Sequence, residues 1–433
     1  MSNLPTSSSQ APREQKPKSK SRNGNNLSSE PICVGLDIGT TKVSMVIARI
    51  QENKTFEIIG VSSVPSAGLR KGVVINIDAT VDAIRRAREE AELMAGIAVQ
   101  TVWAGVAGSH IRSFNSRGMV AIKNREVNND DIRRVLEAAQ AVALPEDRKL
   151  LHALPQNFTV DSQDGIRDPI GMSGVRLEAG VHLASGAIMS LHNITKCAER
   201  AGLHVSGLAM ESLASAEACL SQDEKDLGVA VVDMGGGTCD IIIYVNGSVV
   251  HTAVLPVGGT HLTHDISVGL RTPASAAEEI KKKYGCAMTS LIDGNETIEV
   301  PSVGGRNPRT LSRATLTEVI EPRIEETLHL INNEILKSGY HDLIGSGIVL
   351  TGGACLLEGV IELGEFIFET PVRRGIPLNT AGLTEVVRSP AFTTGVGLVK
   401  YGSENAIKAK KLRPNTMVEK LKTRVSDFLD GAF

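Results

Sequence analysis

Two stretches of the chain carry the same hydrophobic rhythm. Residues 32–64 open with the apolar run Ile32-Cys33-Val34-Gly35-Leu36, break at Asp37-Ile38-Gly39-Thr40-Thr41, and resume as Val43–Ile50 and Phe56–Val64. Residues 228–257 repeat that order with Val229-Ala230-Val231-Val232, a break at Asp233-Met234-Gly235-Gly236-Gly237-Thr238, then Ile241–Val245 and Val249–Val257. Short apolar runs ended by glycine turns predict strands. Asn246-Gly247 reads as a two-residue hairpin turn, because both positions tolerate positive φ. One strand–turn–strand unit is only a turn. The same unit seen again about 200 residues later, with an acid at the same place, predicts two similar half-domains facing each other.

Helical periodicity fills much of the rest. Thr80–Met94 places Val81, Ile84, Ala87, Ala91 and Met94 on one face. Asp130–Leu144 starts with an acidic turn that suits the helix dipole. Ser212–Leu220, Ala274–Tyr284, Leu316–Leu336 and a segment from about Leu357 are further predicted helices. Pro169, Gly171, Gly174 and Gly180 mark a loop-rich stretch before the apolar segment Val181–Leu191.

The pattern changes at both ends. Residues 1–30 hold too few apolar groups to offset ordering entropy and are expected to be disordered. Lys16, Lys18, Lys20 and Arg22 there suit a solvated tail or contact with an acidic surface. Gly402–Asn415 reads as a charged linker, and Pro414 breaks any preceding helix. In residues 416–433, Met417, Val418, Leu421, Val425, Phe428, Leu429 and Ala432 fall within a helical arc of roughly 120°. Lys420 and Arg424 flank one edge of the arc and Lys422 the other. Such a helix fits a lipid interface, with basic groups reaching head groups, or the protein's own core.

Composition narrows the classes. A chain of 433 residues with 42% hydrophobic and 22% charged residues can bury the cores of two or more domains. Aromatics are 3% and no basic stripe interleaves with rings, so no nucleic-acid partner is expected. The six cysteines form no CxxC pair and lie beside no histidine cluster, which argues against zinc and against a disulfide framework. They suit reduced thiols of a cytosolic protein. No secretory signal or membrane-spanning run is expected.

Three glycine turns carry candidate chemistry. In Asp37-Ile38-Gly39-Thr40-Thr41-Lys42 the turn at Gly39 lets backbone N–H groups approach phosphate oxygens. Asp37 can hold the hydration shell of Mg2+, and Lys42 can add a charge-assisted contact. In the second turn, Gly235, Gly236 and Gly237 are costly in unfolded-state entropy, and a close anion explains them better than a structural turn does. Thr238 offers a hydroxyl, and Asp233 mirrors Asp37. In Ile348–Ala354 a buried strand runs into Gly352-Gly353-Ala354, a turn that admits a flat ring against backbone. Glu278 and Lys281 share a helix face, as nucleotide contacts or as a surface ion pair. Glu211 precedes a predicted helix, either to position an attacking water or as an N-terminal acid stabilised by the dipole. Neither a Walker A sequence nor a GxGxxG follows a strand.

In this order the three turns match the phosphate-1, phosphate-2 and adenosine motifs of the actin superfamily. Beyond residue 30 the chain resembles the FtsA family, the bacterial actin homologues of cell division. The matching stretches include Val34–Lys42, Ala91–Met94, His152–Gln156, Pro169–Arg176, Val181-His182-Leu183, Val231–Asp240, Val300–Arg306, Glu318–Arg323 and Gly347–Ala354. The resemblance implies an α/β, actin-like ATPase fold of two related ribonuclease-H-like halves, with an FtsA-type inserted subdomain 1C. Its expected bounds are 31–104, 188–206 and 379–401 for subdomain 1A, and 105–187 for 1C. Subdomain 2A is expected at 207–254 and 326–378, and 2B at 255–325. A linker at 402–415 and a membrane-targeting helix at 416–433 follow.

The resemblance also implies ATP and Mg2+ as cofactors, with at most slow turnover. Gly39, Thr40, Thr41 and Lys42 would bind nucleotide with Gly235, Gly236, Gly237 and Thr238. Glu278, Lys281, Gly352, Gly353 and Ala354 would meet adenosine. Asp37 and Asp233 would serve the metal, and Glu211 would position the water. Subdomain 2B would bind the C-terminal peptide of FtsZ, with Arg306, Arg309 and Arg323 as basic contacts unless they pair with Glu318, Glu321 or Glu325. Subdomain 1C would meet later division proteins, and the protein would polymerise head to tail. Leu421, Val425, Phe428 and Leu429, with Lys420, Lys422 and Arg424, would bind anionic lipid. That places a peripheral protein on the cytoplasmic face of the inner membrane at the septum. A sugar or acetate kinase would need a polar substrate pocket with a general base. A chaperone ATPase would need a long region after the third turn, where only about eighty residues remain.

Overall fold

The computed structural model describes residues 31–51, 55–304 and 306–412, with side chains in the last helix to residue 406. The tail 1–30 and the amphipathic segment 416–433 lie outside the described residues. The chain begins with an antiparallel trio, β1 (Ile32–Ile38), β2 (Lys42–Ile50) and β3 (Phe56–Pro65). A small hairpin, β4 (Leu69–Arg70) and β5 (Val73–Val74), leads to α1 (Ile77–Ala95), and β6 (Thr101–Val106) then lies parallel to β1. Helix α1 starts three residues before the sequence pattern does, because the Asn76 side chain accepts from Ala79 N–H, and it stops at Gly96 with φ 67°.

An inserted layer follows: β7 (Arg112–Ala121), α2 (Asn129–Gln140), β8 (Arg148–Val160), β9 (Gln163–Ile166) and β10 (Arg176–Ala187). Its sheet order is β7-β10-β8-β9, and α2 covers a separate core that includes Val135, Phe158, Leu177 and Leu183. Helix α2 ends before the expected Leu144. Leu144 precedes Pro145, and a residue before proline is pushed out of helical geometry. The chain returns through α3 (Ile188–Arg200), β11 (His204–Met210), which is parallel to β6, then α4 (Glu211–Cys219) and α5 (Gln222–Leu227).

The second half repeats the first. β12 (Val229–Met234), β13 (Cys239–Val245) and β14 (Ser248–Leu255) form the antiparallel trio. α6 (Gly259–Gly269), α7 (Ala274–Tyr284), the hairpin β15 (Thr297–Val300) and β16 (Arg309–Ser312), and the long α8 (Arg313–Ser338) intervene before β17 (Ile348–Thr351). α9 (Val360–Phe368) and β18 (Val372–Arg374) complete the sheet. β19 (Thr380–Gly382), α10 (Thr384–Val387) and α11 (Thr393–Leu412) then return to the first half.

The two sheets read β11-β6-β1-β2-β3-β19 and β14-β13-β12-β17-β18. Counted from each trio, both have the order third, second, first, fourth, fifth, with the last two strands parallel to the first. Both second-to-third strand ladders slip at the equivalent place, between Ile47 and Ala48 and between Ile243 and Tyr244. β12 is buried at every residue, which explains its continuous apolar run.

Two expectations shift. The helix foreseen from Leu357 begins at Val360, after a tight turn at Gly353–Leu356 and Gly359 at φ 77°. Residues 402–412, read as linker, continue α11. Their Glu, Ala, Lys and Leu content favours helix.

Candidate functional site

The two hairpin turns are closed alike. Gly39 N–H donates to Lys42 O at 2.9 Å, and Gly235 N–H donates to Thr238 O at 2.9 Å. They also touch. A Cβ on Gly236 would lie 2.4 Å from Thr41 Cγ2, and one on Gly237 would lie 2.6 Å from Thr40 Oγ1. The threonines of one half are therefore a sufficient reason for bare backbone in the other. The third turn packs as closely. Gly352 has φ 84°, and a Cβ there would sit 2.3 Å from Asp233 Oδ1. The start of α6 completes the cradle, with Gly259 N–H on Gly235 O at 3.0 Å and Thr260 N–H on Gly236 O at 2.8 Å.

Four carboxylates converge beneath the turns. Asp37 and Asp233 are buried near the ends of β1 and β12. Asp37 accepts from Ser44 Oγ at 3.2 Å and lies 3.7 Å from Lys42 Nζ. Asp233 accepts from Ser215 Oγ at 2.5 Å and from Thr394 Oγ1 at 2.8 Å. Glu211 opens α4 and packs on Gly105 of β6, where a Cβ would come within 3.1 Å of its Cγ. Its strand end is held by Met210 N–H donating to His152 Nε2 at 3.0 Å.

Asp240, which sequence reasoning did not single out, is buried opposite Asp233 in the β12–β13 ladder. Its signal lay in the repeat itself: Ser44 stands opposite Asp37 in the matching register.

Burial first, then mutual repulsion, sets the electrostatics of this group. Desolvation and the charges of Asp37, Asp240 and Asp233 push Glu211 well above the usual carboxylate range. Burial and neighbouring Asp233 raise Asp240 to about 7. Asp37 is raised by burial against the pull of Lys42. Asp233 is raised by burial although two hydroxyls donate to it. Lys42 does not reach over the turn; its ammonium donates to Ala391 O and lies 4.8 Å from the Phe392 ring centre.

Glu278 and Lys281 do form an ion pair, at 2.6 Å, but it is built into the site. Lys281 Nζ also donates to Gly259 O at 3.0 Å and to Thr263 Oγ1 at 2.9 Å. A Cβ on Gly259 would lie 3.7 Å from Ala354 Cβ, so α7, α6 and the third turn meet there. Burial lowers the Lys281 pKa. Burial opposes ionisation of Glu278, yet hydrogen bonds from Lys281 and Thr263 hold it below its ordinary value.

The three arginines differ in their surroundings. Arg323 is engaged by Asp265, at 3.3 Å from Nη2 to Oδ1, and by Glu326, because α8 lies against α6. These are not the acids expected from the sequence; Glu321 instead accepts from Thr289 N–H at 3.2 Å. Arg309 donates to Leu270 O, and Arg306 is exposed. Leu421, Val425, Phe428, Leu429, Lys420, Lys422 and Arg424 lie outside the described residues. Among the described residues no helix is long and apolar enough to cross a membrane.

Comparison with known proteins agrees with this architecture. Residues 230–397 match the family model described as cell division protein FtsA, and residues 108–185 match the SHS2 domain inserted in FtsA. The cell division protein FtsA of Pseudomonas aeruginosa is 52% identical over 376 residues, covering 87% of this chain and 90% of that protein. The Escherichia coli K12 protein of the same name is 44% identical over 381 residues, covering 86% and 91%. Among solved structures, the PilM–PilN type IV pilus biogenesis complex aligns with a TM-score of 0.61 at 17% identity, over 86% of this chain and 98% of that one. MreB5 of Spiroplasma citri bound to ADP aligns with a TM-score of 0.53 at 15% identity, over 89% and 99%. The distant structures share the actin-like ATPase fold, the inserted sheet is the SHS2 domain, and the identities over most of the chain place it in the FtsA family of cell division proteins.

Proposed function

We propose that the chain is an ATP-binding adaptor that tethers the FtsZ ring to the inner membrane and assembles head to tail. The observation that carries the nucleotide reading is the contact of two identically closed Asp-turn hairpins, with the Gly352 turn packed on one of them. The buried, repelling carboxylates fit a cation between them. Among the described residues no group of three His, Cys, Asp or Glu is placed to ligate one ion directly. Asp37 and Asp233 therefore suit Mg2+ held through its water shell, where it would neutralise phosphate charge. Backbone N–H groups of the two turns would bind phosphates. Gly352, Gly353 and Ala354, with Glu278 and Lys281, would hold adenosine. Glu211 would position an attacking water.

Residues 255–325 are our candidate subdomain 2B for the FtsZ peptide, with exposed Arg306 as its basic contact. Arg323→Glu would break the Asp265 pair as well, so Arg306→Glu is the cleaner probe. Unaltered peptide affinity in Arg306→Glu by fluorescence anisotropy would remove this patch from the proposal. The insert would meet later division proteins, and residues 416–433 would bind lipid. A single amphipathic helix binds weakly, so stable attachment would depend on polymer avidity.

Pelleting with anionic liposomes, with and without ATP and FtsZ, tests the whole. FtsZ should pellet only when the intact chain is present. Removal of residues 416–433, or Phe428→Glu, should release the protein while ATP binding persists. If the truncated chain binds liposomes as well as the intact one, the anchor lies elsewhere. A kinase or chaperone reading has no comparable support.

A further inference from the structure

The SHS2 insert is fastened to both halves of the molecule. By chain it belongs to the first half, entering after β6 and leaving into α3. Its hydrogen bonds reach the second half, along the outer edge of β14. That edge pairs with no strand of the described structure. Ser113 Oγ donates to Thr252 O at 2.7 Å, Asn115 Nδ2 to Val250 O at 3.1 Å, and Gln156 Nε2 to Val249 O at 2.9 Å. In return Ser248 Oγ donates to Gln156 O at 2.7 Å. The slip in the ladder leaves Val250 without a partner on β13, so the consecutive carbonyls of Val249 and Val250 are both available to the insert.

A buried histidine closes the set. His182 of β10 places Nδ1 2.7 Å from Asn115 Oδ1 and Nε2 3.0 Å from Thr252 Oγ1. Asn115 already donates to Val250 O through its amide nitrogen, so its oxygen accepts from His182 Nδ1–H. His182 Nε2 then accepts from the Thr252 hydroxyl. The circuit runs from β14 through the insert and back to β14 with each polar group satisfied. Burial and the nearby His251 keep His182 neutral, with a pKa of about 4. At the turn that leads into β14, Arg167 donates to Asn246 O at 3.1 Å and meets Asp226 Oδ1 at 3.1 Å.

This edge leads directly to the nucleotide site. β14 continues through Gly258 to the start of α6, whose N–H groups hold Gly235 O and Gly236 O. A cavity of about 300 Å³ lies between the attachment and the carboxylates, lined by Asp240, Ser212, Arg112, Ser113, His251 and Glu334.

We infer that the insert is a strap that bonds the second half's outermost strand, resists separation of the two halves, and couples whatever binds the insert to the nucleotide held between them. Opening the cleft then requires either bending at the insert's roots, residues 107–111 and 186–188, or breaking the strap. The coupling is reciprocal: a partner that pulls the insert from β14 speeds nucleotide release, and bound nucleotide holds the insert in place.

The coupling rests on the ATP reading; the attachment does not, and the test separates them. The probe is a fluorescent ATP analogue with Mg2+, released against excess ATP in a stopped-flow instrument. In the full chain carrying Ser113→Ala, Asn115→Ala and Gln156→Ala, release should be about tenfold faster, within the usual range of coupling between sites. A rate within about twofold of the parent, with the fold intact by circular dichroism, overturns the inference. If the triple variant does not fold, the single Gln156→Ala should show a smaller change in the same direction, and an unchanged rate there counts against the strap. Hydrogen exchange of the parent chain supplies the arm that needs no nucleotide. Segments 112–116 and 248–252 should exchange as one slow unit, and independent exchange overturns the attachment itself. If the parent binds no analogue, the ATP reading fails while the exchange result still decides the strap.

Discussion

The β1–β2 hairpin and the β12–β13 hairpin have one backbone and two chemistries. Both end an apolar strand at an aspartate, turn on a glycine whose N–H reaches the carbonyl three residues on, and return in the same register. The side chains differ at each position that matters. Thr40 and Thr41 in the first turn face Gly236 and Gly237 in the second. Lys42 corresponds to Thr238, and Ser44 corresponds to Asp240. The threonines of one turn fit the bare backbone of the other. The first half supplies bulk and a cation, and the second supplies bare backbone and an extra carboxylate. Asp37 is stabilised from within its own hairpin by Ser44 and Lys42, whereas Asp233 is stabilised from outside, by Ser215 of α4 and Thr394 of α11.

The largest effect comes from forcing bulk and charge into the bare turn. Gly236→Asp should weaken ATP binding at least about a hundredfold by calorimetry, near 2.8 kcal/mol, while the fold persists. A Cβ there meets Thr41, so Thr41→Gly should recover part of the loss in the milder Gly236→Ala. Absence of any recovery would mean that the two turns do not limit each other.

Next in size is the contrast between the two aspartate supports. Ser215→Ala takes one of two donors from a buried carboxylate and should cost about 1–3 kcal/mol in urea unfolding. Ser44→Ala should cost only about 0.5–1.5 kcal/mol, because its bond is longer and Lys42 remains. Equal costs would contradict the asymmetry.

A smaller, pH-dependent effect belongs to Asp240. Its pKa rises from 3.8 to about 7 on folding, so between those values the folded chain holds a proton that the unfolded chain has lost. Stability from this group is therefore lost as pH rises through that window. In EDTA without nucleotide, Asp240→Asn should melt above the parent at pH 8 by a few degrees, and the gap should shrink towards pH 5. A gap independent of pH would place the raised pKa elsewhere. The smallest change is Lys42→Met. Its ammonium is part-exposed and 3.7 Å from Asp37, so stability should fall by less than about 1 kcal/mol in the same urea assay.

Both hairpins were legible in the sequence because a buried strand ending at an acid is a local pattern and it occurs twice. The Gly352 turn was legible as a buried strand running into paired glycines, and it gained meaning from its order after the other two. Ser215 and Thr394 were not, since they reach Asp233 from 18 and 161 residues away and nothing local marks them. Asp240 could have been found by laying one repeat on the other. The Glu278–Lys281 pair was visible as a pair, but its bond to Gly259 depends on how α7 packs on α6. The insert's strands escaped attention because β7 and β8 mix polar and apolar residues without a clean alternation. The helical reach of α11 to Leu412 was hidden by its charge.

The slipped ladders at Ile47 and Ile243 record history. A bulge is a miscount, one residue present on one strand with no counterpart on the other, and two unrelated hairpins have no cause to miscount at the same step. Side chains at equivalent positions change when two copies diverge, as Lys42 and Thr238 have. An irregularity that both copies tolerate has no such pressure on it. The miscount therefore preserves the duplication that produced this molecule better than its chemistry does. The strand that carries the spare residue Val250 is also the one the insert holds.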